Sequence, residues 1–196
     1  MKFPAITAQA LTGMEELTCS GVRVIDYWAW AHSDLVDNIE RGIFAEFLVH
    51  TAMNEADNVR VNWNSCDVIS PEGIRIEVKS SGYLQSWEQE NLSAITFSVR
   101  PSHTWDPETN SFTEEYARQS DVYVFCLHKH TQQESMNILS LEQWTFFVLP
   151  TGVLNAKAST QKTITLNHLK TLGAVETDYY GLRETVINIA RSDNYA

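Results

Sequence analysis

Cysteine is scarce in this sequence, which has only Cys19, Cys66 and Cys126 among its 196 residues. Their number is odd and they lie far apart, which excludes a disulfide framework and a paired-cysteine metal knuckle. Long apolar runs are also missing, because stretches such as residues 146–149 are too short to span a membrane. The first residues, MKFPAITAQAL, lack the basic start and apolar run of a signal peptide. We therefore expect a cytoplasmic protein with no membrane partner.

Positive charge is the second shortage, since 14 Lys and Arg residues face 25 Asp and Glu residues and leave a net charge of −11. This balance argues against indiscriminate coating of nucleic acid, which depends on neutralising phosphates with basic side chains. The hydrophobic content of 43% is near the average for globular proteins. We find no repeat and no linker, so we expect a single domain over residues 1–196.

The order of apolar patterns predicts an α/β protein of the α+β type with a mixed sheet. Residues 37–53 have helical spacing, with Asp37 or Asn38 as N-cap, and three short β-like runs follow, which favours an antiparallel meander. The run at 122–127 is apolar throughout and predicts a central strand. The three β-like runs are residues 59–63, 66–70 and 74–80. The sequence also predicts strands at 95–100 and 145–149, helices at 166–172 and 180–189, a loop at 102–115, and room for a short helix within 80–93.

The segment from Cys66 to Lys79 is the most informative part of the chain. Alternation along a strand puts Glu77 and Lys79 on one face, and the neighbouring isoleucines and valine on the other. Whether Asp67 joins Glu77 depends on the hairpin loop, because a shift of one residue exchanges the faces. A two-residue loop pairs Asp67 with Ile76, whereas a three-residue loop pairs Asp67 with Glu77.

The loop sequence decides between these registers. Three-residue hairpin loops favour a type I turn followed by a residue with positive φ, and Pro71, Glu72 and Gly73 suit those positions. This register also gives each face of the hairpin a consistent character. We therefore predict the three-residue loop, with Val68 opposite Ile76.

Two carboxylates facing each other destabilise a sheet unless their charge is cancelled. A divalent cation would cancel it, and oxygen ligands from Asp67, Glu77 and the Val78 carbonyl suit Mg²⁺ or Mn²⁺ rather than zinc. Lys79, on the same face, is placed to hold or polarise a water molecule. Glu46 adds a carboxylate to a helical stripe that we expect to face the sheet, and the stripe consists of Ile39, Ile43, Glu46, His50 and Met53.

This pattern of Asp67, then Glu77-Val78-Lys79, after a helix that carries Glu46, resembles the PD-(D/E)XK nuclease superfamily with its restriction-endonuclease-like fold. The resemblance covers about residues 37–127, which makes residues 128–196 a C-terminal elaboration. It implies that Asp67 and Glu77 bind Mg²⁺, that Lys79 aligns the attacking water, and that Glu46 completes the metal shell. Cys66 stands where the family normally has proline.

Gln85 resembles the downstream glutamine of some members of that superfamily, although Gln89 stands where their tyrosine is expected. The resemblance implies a Mg²⁺-dependent endonuclease-like hydrolase that cuts phosphodiester bonds, in DNA before RNA, with Gln85 in the catalytic set. The alternative is an inactive nuclease-fold subunit that acts through protein or nucleic-acid interaction. The sequence leaves open the strandedness and sequence specificity of the substrate, and whether the chain works as a homodimer or with a partner subunit.

Overall fold

A central mixed sheet organises the fold. The computed structural model describes residues 6, 8–53, 59–61, 64–106 and 111–193. The helices are α1 (Val24–His32), α2 (Asn38–Ala52), α3 (Thr151–Lys157), α4 (Leu166–Thr171) and α5 (Leu182–Asp193). The strands are β1 (Val68–Ile69), β2 (Arg75–Gly82), β3 (Thr96–Ser98), β4 (Ser102–Asp106), β5 (Ser111–Ala117), β6 (Val122–His128), β7 (Trp144–Pro150), β8 (Thr163–Thr165) and β9 (Val175–Thr177).

Five strands form the main sheet in the order β1-β2-β6-β7-β9. The β2–β6 pair is parallel, and the other neighbouring pairs are antiparallel. The middle strand, β6, is buried along its whole length, as its continuous apolar run predicts. The prediction of an α/β protein with a mixed sheet is therefore confirmed.

Helices cover both faces of this sheet. On one face, α2 and α5 pack against side chains that include Ile76, Val78 and Val124. On the other face, the β3–β8 ladder, α3 and α4 pack against Phe125, Phe147 and their neighbours. Since β2 alternates like any strand, Glu77 and Lys79 lie on this second face, away from α2.

Helix α2 begins where the sequence predicts. Asp37 is its N-cap, and one of its carboxylate oxygens accepts a hydrogen bond of 2.8 Å from the Ile39 N–H. Such a cap satisfies a backbone donor that has no partner within the helix. The residues that α2 buries are Arg41, Ala45, Leu48 and Val49.

Three local predictions were wrong. Residues 59–61 of the predicted strand 59–63 lie outside any strand. Val59 and Val61 are 38% and 55% exposed, so these apolar side chains are not buried as they would be in a sheet. The rest of that strand falls outside the described residues. The short helix within 80–93 does not form, and the predicted loop at 102–115 contains the paired strands β4 and β5 instead.

The predicted meander also differs from the observed sheet. Strand β2 pairs with β1 on one side, but on its other side it runs parallel to β6, which is about 45 residues further along the chain. Apolar run lengths do not specify this distant pairing. Among the helices that the structure describes, none has the length and apolar character needed to cross a membrane.

Candidate metal and catalytic site

The β1–β2 hairpin adopts the predicted three-residue loop. Val68 pairs with Ile76, the Ser70 N–H donates to the Ile74 carbonyl at 2.9 Å, and Gly73 has the positive φ of +82° that the turn requires. A glycine at this position avoids the steric cost that a Cβ meets in the left-handed region. The hairpin register predicted from the sequence is thus confirmed.

Asp67 closes the hairpin beside Glu77. Its N–H donates to the Ile76 carbonyl at 3.1 Å, and its Oδ2 accepts from the Val78 N–H at 2.7 Å. These two contacts fall on either side of Glu77, so Asp67 is fixed next to it. Because the N–H and C=O of a strand residue point to the same neighbouring strand, the Val78 carbonyl faces the Asp67 side as well.

Lys79 lies between the two carboxylates. Its Nζ is 2.5 Å from Glu77 Oε1 and 3.9 Å from Asp67 Oδ2. The three side chains are partly enclosed, with exposures of 24% for Asp67, 23% for Glu77 and 27% for Lys79. Two negative groups therefore share one positive group in a recess that remains open to water.

The pKa values reflect this imbalance of charge. Burial raises the pKa of Glu77, and the nearby Asp67 carboxylate raises it further, against the opposing effect of Lys79. Burial by itself lowers the pKa of Lys79, but Glu77 and Asp67 outweigh it and hold that pKa above the usual range. Lys79 is consequently a protonated donor at neutral pH.

The stripe of α2 that carries Glu46 faces the sheet only in part, since Met53 at its end is buried in the core and Glu46 is half-buried at the edge of the packed face. Ile39 of the same stripe is 74% exposed, whereas the helix buries the Arg41–Ala45–Leu48–Val49 side. The Glu46 side chain, 17% exposed, accepts from Arg60, with Nη2 2.9 Å from Oε1. An arginine thus balances the charge that burial would otherwise oppose.

Glu46 nevertheless acts electrostatically on the site. After burial and the Lys79 and Asp67 charges, its carboxylate is a further cause that raises the pKa of Glu77. It is also a minor cause of the raised pKa of Lys79, after burial and the charges of Glu77 and Asp67. The structure therefore gathers Asp67, Glu77 and Lys79 by direct contacts, with Glu46 interacting through its charge.

Gln85 belongs to a different network of contacts. Its Nε2 donates to the Gly82 carbonyl at 2.9 Å and to Ser93 Oγ at 3.0 Å, and its Oε1 accepts from Arg41 Nη2 at 3.1 Å. Arg41 is only 3% exposed and also donates to the Leu84 carbonyl. This network fixes the segment that follows β2 against α2.

Two neighbours of the site had no signal in the sequence. Tyr123 is aligned with Glu77 in the parallel β2–β6 register, and burial followed by the Glu77 charge raises its pKa. It could be found only by knowing that β2 and β6 are partners. Arg60 fell within a run that alternation assigned to a strand, which concealed its contact with Glu46.

The site is rich in oxygen donors but is not a closed metal cage. Among the residues that the structure describes, no three or more His, Cys, Asp or Glu side chains are grouped so as to hold a metal ion. Two neighbouring carboxylates with an adjacent carbonyl can supply part of a Mg²⁺ shell, which is commonly completed by water and substrate phosphate. The lysine can hold a water molecule beside such a phosphate.

A comparison with known families identifies the class of protein as a nuclease. The matching family profile is Bacteriophage T4 endonuclease IV, and it covers residues 28–168, more than half of the chain. The chain therefore belongs to the bacteriophage T4 endonuclease IV family. The match spans the hairpin with Asp67, Glu77 and Lys79 and the helix with Glu46. No curated protein matches the chain.

Proposed function

We propose that this protein is a metal-dependent endonuclease that hydrolyses phosphodiester bonds in DNA through Asp67, Glu77 and Lys79, with the site architecture of the PD-(D/E)XK superfamily. The observation that carries the proposal is the pairing of one ammonium with two partly buried carboxylates, Glu77 on β2 and Asp67 directly before β1. Membership of an endonuclease family supports a nucleic-acid substrate. The family is named after a bacteriophage endonuclease, and DNA cleavage by this chain is part of the proposal.

The donor set fits Mg²⁺ or Mn²⁺. Asp67 and Glu77 offer carboxylate oxygens, and the Val78 carbonyl faces the same side, as hard divalent cations prefer. The raised pKa of Glu77, due to burial and to Asp67, indicates negative charge that a cation would stabilise. Glu46 adds negative charge near this set without contacting it, since its side chain is paired with Arg60.

Each side chain has a distinct role in the proposed reaction. A bound Mg²⁺ supplies Lewis acidity that neutralises charge on the phosphate and on the leaving oxygen. Asp67 and Glu77 hold the ion, and the backbone contact of Asp67 with Val78 fixes the position of its carboxylate. Lys79 Nζ donates a hydrogen bond to the attacking water and orients it in line with the scissile bond. Gln85 positions the segment after β2 through its contacts with Arg41 and Ser93.

The experiment compares cleavage of plasmid and linear DNA in Mg²⁺ or Mn²⁺ by the wild type, Asp67→Ala and Lys79→Ala. We expect both variants to lose cleavage by about 100-fold or more, as when an electrostatic contact to a transition state is removed. Glu176→Gln is the matched control, because Glu176 pairs with Lys170 at the far edge of the sheet. Equal activity of wild type and both variants would overturn the assignment.

A catalytically inactive subunit on the same fold is the second candidate function. The net charge of −11 favours it, since a strongly acidic protein gains little from phosphate attraction and benefits from a partner chain or a second copy of itself. Calorimetry separates the two candidates. An inactive subunit shows no Mn²⁺ binding that depends on Asp67 and Glu77, whereas the nuclease loses Mn²⁺ binding in Asp67→Asn and Glu77→Gln.

A further inference from the structure

A cavity of about 400 Å³ lies beside the hairpin that carries the site. Its wall includes Gly73 and Ile74 from the hairpin, Arg118 and Ser120 from the segment before β6, and Asn155 from α3. Ile74 precedes Glu77 by three residues, which corresponds to about 10 Å along an extended strand. The cavity is therefore a neighbour of the site, and it is formed by different side chains.

Arg118 gives the cavity a buried positive charge. It is 9% exposed and donates only to neutral acceptors, which are the carbonyls of Val99 (2.8 Å), Ala158 (3.1 Å) and Gln161 (3.4 Å), and Asn155 Oδ1 (2.8 Å). No carboxylate of the described residues forms an ion pair with it. A buried guanidinium without a counter-ion favours the approach of an anion.

The two carboxylates on the cavity wall do not cancel this charge, because each has its own arginine. Asp121 Oδ1 is 2.6 Å from Arg75 Nη2, and Glu72 Oε1 is 2.5 Å from Arg183 Nη2. Arg75 and Arg183 are not part of the wall, but their ion pairs offset the charges of Asp121 and Glu72. Arg118 is thus the one charged side chain of the wall that has no ion-pair partner among the described residues.

Neutral donors line the same cavity. Ser120 Oγ and Thr151 Oγ1 lie 3.3 Å apart and belong to side chains that are each 5% exposed. Asn155 accepts from Arg118 through Oδ1, so its amide nitrogen still offers N–H donors to a ligand. A positive charge with hydroxyl and amide donors is the chemistry that binds phosphate.

We propose that this cavity binds a phosphate group of the nucleic-acid strand that flanks the scissile phosphodiester. The inference rests on the proposed function, since it assigns to the substrate a second contact outside the catalytic group. The volume of about 400 Å³ is in the range of small-ligand pockets and accommodates a phosphate with its sugar. Binding here positions the strand and does not take part in bond breaking.

Asn155→Asp is the decisive variant. The aspartate keeps an oxygen acceptor for Arg118 Nη1, where the present distance is 2.8 Å, and turns that hydrogen bond into an ion pair. We expect the fold to be retained while the new carboxylate cancels the charge of Arg118, so that the cavity repels phosphate. Asn167→Asp, which adds the same charge at an exposed position of α4, is the control.

Two measurements test the proposal. Inorganic phosphate is expected to raise the melting temperature of the wild type and of Asn167→Asp, and to leave that of Asn155→Asp unchanged. In DNA cleavage, Asn155→Asp is expected to raise KM about tenfold with little change in kcat, because the contact is the same in ground and transition states. No phosphate stabilisation of the wild type, or equal stabilisation of Asn155→Asp, would overturn the proposal.

The outcomes also distinguish this proposal from the proposed function. Phosphate stabilisation that Asn155→Asp abolishes with KM unchanged would assign the cavity to a free phosphate compound and overturn the strand contact. Asp67→Asn is expected to keep the response to phosphate while losing cleavage, which supports both proposals. If Asp67→Asn cleaves DNA like the wild type, the catalytic assignment fails, and the KM of Asn155→Asp still decides the role of the cavity.

Discussion

Lys79 occupies the position between two carboxylates where a cation balances charge, so its removal has a measurable consequence. Lys79→Met keeps most of the alkyl chain but removes an ammonium that is 2.5 Å from Glu77 Oε1 and 3.9 Å from Asp67 Oδ2. At an effective dielectric constant of about 20, the longer contact alone is worth about 4 kcal/mol before solvent screening. With a quarter of each side chain exposed, screening reduces the net loss to about 1–3 kcal/mol.

Metal should reverse this loss. If Asp67 and Glu77 hold Mn²⁺, the ion no longer competes with an ammonium in Lys79→Met, and we expect at least tenfold tighter binding, or about 1.4 kcal/mol. Urea unfolding followed by tryptophan fluorescence, with and without Mn²⁺, measures both effects. Mn²⁺ is expected to increase the free energy of unfolding of Lys79→Met more than that of the wild type.

The control is Lys170→Met, which removes an ammonium from a more exposed ion pair, where Lys170 and Glu176 are 49% and 54% exposed. We expect it to lose less than about 1 kcal/mol, with no dependence on Mn²⁺. Equal Mn²⁺ stabilisation of Lys79→Met and wild type would refute the idea that the ammonium and the metal share one position.

Three further predictions concern stability. Gly73→Ala should lower the free energy of unfolding in urea by about 1–2 kcal/mol. Since φ is +82° and no further atom lies within 4 Å of the new Cβ, this cost is conformational. An unchanged free energy of unfolding would contradict the observed turn. Asp37→Ala should lower the free energy of unfolding by about 1 kcal/mol, because the Ile39 N–H loses its acceptor. Asp37→Ser should keep most of that stability, and equal losses in the two variants would argue against the cap. Burial lowers the pKa of His128 in the folded protein, so the unfolded chain binds a proton more readily. Stability is therefore complete above the unfolded pKa of about 6.5 and falls as the pH drops below it, by at most about 1.4 kcal/mol per pH unit. His128→Phe, measured by unfolding at several pH values, should show a shallower decline, and an identical slope would count against this origin.

The sequence predicts the hairpin because its determinants are local. Pro71 and Gly73 specify the loop, the loop specifies parity, and parity puts Asp67 beside Glu77. The start of α2 is local for the same reason, since Asp37 caps it within three residues. The long-range features were not predictable in this way. The parallel pairing that brings Tyr123 beside Glu77 depends on contacts across the whole core.

Side-chain competition explains the elements that the sequence mispredicted. Within 80–93, Gln89 Oε1 accepts from the Gln85 N–H at 2.7 Å and its Nε2 donates to the Tyr83 carbonyl, so side chains take the partners that a helix needs. Arg60 is not part of the expected strand and instead donates to Glu46. This contact also gives the Glu46 carboxylate on α2 a positively charged partner. Both effects arise from contacts between residues that a periodic pattern treats as independent.

A crystal structure with Mn²⁺, with anomalous scattering recorded from the metal, tests the proposed metal site. We expect an anomalous peak in contact with carboxylate oxygens of Asp67 and Glu77, with Lys79 Nζ displaced from Glu77 Oε1. The same soak of Asp67→Asn should show no peak at that position. A wild-type crystal with no peak there, or with Mn²⁺ bound only elsewhere, would contradict the proposed metal site.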